Sequence, residues 1–288
     1  MAPEPETDEA PEIPLPDAAP DARMTPAEAV AGMHLHVPTR GNRKLRRLIE
    51  NVEADKQIKA WWHAANVNAV VRLAINDHSW VHIQIVTNIA LKLCRLLVKH
   101  GVQTSLVRDY RLEPDDSEVV VVLAALLHDV GMSIHRRDHE DWSLLLAGPK
   151  MGELLAEIYD EPERTIVVSE ALQAITSHRA DGEPLSLEAG ILRVADALDM
   201  AKGRSRIPFS SGSLSIHSIS AAAVESVSIG RGEGKPIAVT VALSGSAGLF
   251  QIDQLLRNKL VGSGLEELLE VHVKVIHTEK RLLEDFTL

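Results

Sequence analysis

Cysteine is nearly absent: the 288-residue chain has one, Cys94. A lone cysteine excludes an internal disulfide and fits a reducing compartment, so a cytoplasmic protein is expected. Cys94 lies in an apolar run and reads as a small core residue. Long apolar runs are missing too. No stretch of 18 apolar residues occurs, which argues against a membrane span. The N-terminus has no basic segment followed by an apolar run, so no secretory signal is expected. Positive charge is also scarce. The formal net charge is −11, which argues against wrapping a nucleic-acid polymer. There is no internal repeat.

What the chain does have is apolar material for a packed core, 45% of its residues,. Residues 1–24 hold seven carboxylates against one arginine and leave −5 for the body. Rich in Pro, Ala, Glu and Asp, this stretch cannot bury enough surface to offset ordering entropy and reads as a disordered tail. From Thr25 the pattern is helical. Thr25-Pro26-Ala27-Glu28 combines a cap, Pro at the first helical position and an acid in the first turn. Helices are expected over residues 42–54, 55–75, 81–100 (closed by Gly101), 117–127 (capped by Ser117), 141–158, 163–176 and 186–199. The β-branched run 119–122 would permit a strand, but the apolar run 123–127 tips it to a buried helix. After Arg206 the character changes. Strands are expected over 214–219, 224–229, 237–243 and 268–276, a helix over 250–260, and a short terminal helix over 280–286. The predicted architecture is mainly α: a helical domain over 25–208 with a small α+β domain over 212–288.

His128-Asp129 directly follows five apolar residues. A carboxylate at the edge of a core is costly unless it is paired or holds a cation. Imidazole with carboxylate suits Mn, Fe, Co, Ni or Zn, and Mg is a further option. The pair has companions: His82 upstream, His139 and His178 downstream, and Asp196 inside another apolar run, sharing a helix face with Asp199. His135, four residues before His139, competes for its role. His78, one turn before His82, reads either as a partner that supports a ligand or as a surface residue, with the surface reading preferred. The other seven histidines have no companions and read as ordinary. Two decoys are set aside. The Gly230–Pro236 stretch reads as a hairpin loop rather than a phosphate loop, because Pro236 stands where a Ser or Thr is needed. Trp61-Trp62 reads as core packing rather than a base-stacking platform.

This order of His, then His-Asp, then a distant Asp resembles the HD superfamily of metal-dependent phosphohydrolases over roughly residues 65–205. The resemblance implies a bundle of helices with His82, His128, Asp129 and Asp196 as primary metal ligands. In binuclear members Asp129 would bridge to a second ion held with His139 and His178. The stretches 139–145 and 177–182 are similar to the HD-GYP group, but Ser177 stands where that group has a second histidine. Gly182-Glu183-Pro184 stands where it has Gly-Tyr-Pro, so the resemblance implies two ions rather than three. As a whole the chain resembles an uncharacterised group of two-domain prokaryotic HD proteins.

The expected reaction is in-line hydrolysis of a phosphate ester, a nucleotide or related small molecule, with His128 and Asp129 at the reacting centre. Developing negative charge calls for further cations, and Arg179, Lys202, Arg204 and Arg206 are the candidates. A di-iron oxygenase and a non-catalytic metal- and nucleotide-binding sensor remain as alternatives. The strands of the C-terminal domain could extend a sheet across a dimer, so a homo-oligomer is expected.

Overall fold

The computed structural model describes residues 24–73, 75, 78–179, 181–200 and 220–276. The acidic tail, the strand expected over 214–219, the terminal helix over 280–286, and Lys202, Arg204 and Arg206 lie outside the described residues.

The described chain is mainly helical. In order come α1 (Pro26–Ala31), α2 (Arg43–Ala54), α3 (Lys56–Asn66), α4 (Trp80–Lys99), α5 (Ser105–Tyr110), α6 (Pro114–Leu127), α7 (His139–Leu155), α8 (Glu163–Ser177) and α9 (Leu187–Leu198). Then follow β1 (Val224–Arg231), β2 (Ile237–Leu243), two short helices α10 (Leu249–Gln251) and α11 (Asn258–Leu260), and β3 (Leu269–Val275). β2 pairs antiparallel with β1 through a hairpin and parallel with β3, giving the order β1-β2-β3. The parallel pair needs a crossover, which α10 and α11 supply.

The expected cap at Thr25 forms a capping box with Glu28,. Three boundaries differ from the sequence reading. α6 begins at Pro114, capped by Glu113 with Asp116 in a reciprocal box. Ser117 is therefore an interior residue, and its hydroxyl donates to the buried Glu188 at 2.8 Å. The helix expected over 55–75 ends as an α-helix at Asn66 and continues as a π-helical turn, Val67–Arg72. The helix expected over 250–260 is broken in the same way by the π turn Ile252–Arg257 between α10 and α11.

α6 is the central helix. Val119 to Leu127 are all fully buried, so the β-branched run is helical because neighbours enclose it on every side and no polar face is needed. α4 is the one described helix long and apolar enough to span a bilayer. It is instead a core element, with Ile83, Val86, Ala90, Leu93, Cys94 and Leu97 fully buried. Burial pushes the Cys94 thiol far above its usual range, with the Glu188 charge adding to the effect. β2 alternates, Ile237, Val239, Val241 and Leu243 inward,. These residues join the same hydrophobic cluster as the helices, with β1 and β2 against α4. Trp62 is core, its indole donating to the Leu126 carbonyl at 3.0 Å.

Candidate metal centre

Five helix ends and one 3-10 turn converge on a pocket. His82 lies in the first turn of α4, which is started by the Ser79 hydroxyl accepting from the Val81 amide. His128 caps the C-terminus of α6, and Asp129 opens the 3-10 turn Val130–Ser133. His139 is the first residue of α7, His178 caps α8, and Asp196 lies in the last turn of α9. The six residues expected as ligands are thus brought together from segments more than a hundred residues apart.

Asp129 sits at the middle. Its Oδ2 lies 3.3 Å from His128 Nε2 and 3.4 Å from His82 Nε2. Its Oδ1 lies 3.1 Å from His139 Nε2 and 3.8 Å from His178 Nε2. Asp196 Oδ1 closes the first half, 3.5 Å from His82 Nε2 and 3.9 Å from His128 Nε2. Glu140 closes the second, grouped with His139 and His178 within ligand reach of one another.

The histidines are oriented by their other ring nitrogen. His128 Nδ1 bonds the Ala125 carbonyl at 2.8 Å, His139 Nδ1 the Arg136 carbonyl at 3.0 Å, and His178 Nδ1 the Ile175 carbonyl at 2.6 Å. A carbonyl can only accept, so Nδ1 is the donor in each. In a neutral ring Nε2 then carries a lone pair into the pocket. His128 Nε2 is fully buried and has no hydrogen-bond partner among the described residues. A buried acceptor without a donor is costly. A cation answers that need, so the residues present fit a bound divalent metal.

His82 is held differently, its Nδ1 2.6 Å from Asp199 Oδ2. This is the carboxylate–histidine arrangement that raises a ligand's basicity. Asp199→Asn is expected to lower metal affinity about 10- to 100-fold with the fold intact, as read by calorimetric titration with Mn(II).

Electrostatics separate the two histidines of the second half. Burial works against charge on His139, but the hydrogen bond and charge of Asp129 prevail and push its pKa up to about 9. His178 is pushed down to about 3 by burial, then by the charges of His128 and Lys259. Asp129 itself is held well below the usual carboxylate range, because His128, His78 and His139 overcome the burial that would raise it. His178 is therefore a ready lone pair at neutral pH, while His139 must first give up a proton. Metal affinity of this half is expected to climb as pH rises towards 9 and flatten above it, which titration at several pH values checks.

Several side chains depart from the sequence reading. His78 is not a surface residue: its Nδ1 lies 2.7 Å from Asp129 Oδ2. It stands in the loop before α4, where helical periodicity says nothing about direction. His135 is exposed and bonds the Arg137 amide, so His139 alone of that pair faces the pocket. Arg179 is half-exposed, 3.7 Å from Glu140 and 3.1 Å from Asp181, and the two carboxylates strengthen its charge. Two basic residues that no sequence pattern marks also meet the site. Lys259 of α11 makes a close ion pair with Asp196 Oδ2. Arg193 of α9 donates to the Gly182 and Asn258 carbonyls. Neither pair could be found in the sequence, since more than sixty residues separate Lys259 from Asp196 and Arg193 from Asn258.

Helix ends that gather His, His-Asp and a distant Asp form a cluster that could hold a divalent metal. Residues 80–201 match the HD domain family. The uncharacterized protein MJ1020 of Methanocaldococcus jannaschii is 38% identical over 243 residues, 84% of this chain and 93% of the archaeal protein. Ribonuclease Y of Acholeplasma laidlawii is 32% identical over 111 residues, 38% of this chain and 19% of that enzyme. No solved structure matches. The chain belongs to the HD superfamily, whose members are generally hydrolases that bind divalent metals.

Proposed function

We propose that this chain hydrolyses a small phosphate ester, a nucleotide or a close relative, at a centre where His82, His128, Asp129 and Asp196 would hold one divalent ion and Asp129, His139 and His178 would hold a second. The observation that carries the reading is the division of Asp129: Oδ2 turns to His82 and His128, and Oδ1 turns to His139 and His178. Two ligand sets on one ionised carboxylate could hold two cations side by side.

When bound, such ions supply a water acidic enough to attack at neutral pH and a Lewis acid for the phosphoryl oxygen. The chain's own groups do the rest. The nearby imidazoles keep Asp129 ionised across the neutral range. Burial keeps His178 neutral, so its Nε2 stays available as a ligand. Arg179 stands beside the second half with its charge secured by Glu140 and Asp181, and is proposed to meet the ester's phosphate from the solvent side. Lys202, Arg204 and Arg206 follow the Asp196 helix and are proposed as further contacts.

The net charge of −11 favours a small ester over a polymer,. The similarity to Ribonuclease Y over 111 residues makes RNA the competing substrate. Phosphate release by Mn-loaded protein, screened over nucleoside monophosphates, cyclic nucleotides, p-nitrophenyl phosphate and a short RNA, tests this. Turnover of a nucleotide is expected. Turnover of none of the esters would overturn the reading.

A further inference from the structure

The C-terminal segment supplies a charged group to the pocket. Lys259 lies on α11, and its Nζ pairs with Asp196 Oδ2. The other oxygen of that carboxylate faces His82 and His128. Lys259 is 8% exposed, and its charge is felt at His178 across the pocket. An ammonium has three protons to donate, and Asp196 is its one hydrogen-bond partner among the described residues.

The position of this lysine is built in. Along one face of α9, at three-residue steps, Gly190, Arg193 and Asp196 each meet the C-terminal segment. A Cβ on Gly190 would come within 1.9 Å of the Ser263 carbonyl oxygen, so the glycine lets the two backbones touch. Arg193 donates to the carbonyl of Asn258, the residue before Lys259, at 3.1 Å. The same guanidinium donates to Gly182, in the loop after His178, at 2.5 Å. Arg193 therefore ties the His178 loop and the Lys259 helix to one point of α9.

We propose that Lys259 is a substrate-binding residue that donates to a phosphoryl oxygen of the ester while Asp196 holds its other side. This rests on the phosphohydrolase reading. A buried ammonium beside a cation centre is repelled unless an anion lies between them. Asp196 lies between Lys259 and the His82–His128 half as one such anion, and a phosphate dianion accepting from the remaining ammonium protons would be a second. The C-terminal segment is then part of the active site rather than an appendage, and the pocket favours terminal, doubly charged phosphates over singly charged diesters.

The test is calorimetric titration of the Mn-loaded full chain with inorganic phosphate, with metal content measured on the same samples. Wild type is compared with Lys259→Ala, Lys259→Gln and Lys259→Arg. Loss of one charge-assisted hydrogen bond predicts about 10- to 100-fold weaker phosphate binding in the Ala and Gln variants. Metal content should match wild type, and Arg should restore part of the affinity. If Lys259→Ala fails to fold, Lys259→Gln, which keeps a donor for Asp196, carries the test. Wild-type phosphate affinity in Lys259→Gln would overturn the proposal, and so would loss of metal in the folded variants, which would make Lys259 a support for Asp196 alone. If wild-type protein turns over no ester and binds no phosphate, the phosphohydrolase reading fails first. If wild type is active and Lys259→Gln equals it, only this inference fails.

Discussion

Asp129→Ala is expected to cost both halves of the metal centre at once, and with them on the order of a thousandfold or more of the hydrolytic rate. Asp129 is the anion whose two oxygens turn to the two histidine sets. Removing a single histidine leaves its half with other donors, whereas removing Asp129 leaves each half without its shared anion. Asp129→Asn, which keeps the shape and loses the charge, is expected to behave alike. The fold should survive, because the buried histidines can shed protons once their anion is gone. A second readout follows from the electrostatics of the metal-free protein. Asp129 is what pushes His139 up to about 9 against the pull of burial. In Asp129→Ala its NMR titration should fall from that value, with Glu140 and the Arg136 carbonyl still supporting the charged form. Retained metal and turnover in this variant would reject the site as described.

Gly131→Ala is expected to destabilise the chain by about 2–4 kcal/mol and to strip the His139 half of the centre. The turn after Asp129 runs directly beneath the start of α7. A Cβ on Gly131 would come within 2.0 Å of the His139 carbonyl oxygen and 2.4 Å of the Ser143 nitrogen. Both are backbone atoms of a helix, so they cannot rotate away, and α7 must move as a body. The Gly131 amide also donates to the Ser143 hydroxyl at 2.8 Å, a bond that fixes the same approach. Since His139 is the first residue of α7, its imidazole moves with the helix. Gly152 provides the control on the same helix. No atom lies within 4 Å of its added Cβ, so Gly152→Ala should stabilise by up to about 1 kcal/mol. Thermal unfolding of the three proteins, with metal content alongside, separates backbone collision from a general effect of adding a methyl group.

The parts of the site legible in the sequence were those where polar residues break an apolar run. His128-Asp129 ends the buried stretch of α6, and Asp196 interrupts α9, so their cost in a core advertised a reason for being there. His139 and His178 carried less signal individually and gained it from the spacing. What stayed hidden has physical causes. The direction of His78 depends on a loop conformation that no periodicity encodes. Glu140 and Asp199 adjoin recognised residues, but their roles depend on which way each helix turns. Lys259 and Arg193 act through contacts across more than sixty residues, which exist only after the C-terminal segment has packed against α9. In the fold, the apolar content of α6 outweighed the strand propensity of its four valines, and the π turns after α3 and within the crossover had no counterpart in the pattern of apolar residues.

The division of Asp129 between two histidine sets is most directly tested by counting ions. Metal analysis of the Mn-loaded full chain, run beside a His139→Ala/His178→Ala double variant, should give two ions per chain in wild type. The variant should keep one, held by the intact half with His82, His128 and Asp196. A single ion in wild type, unchanged in the double variant, would contradict the two-ion centre and with it the proposed mechanism.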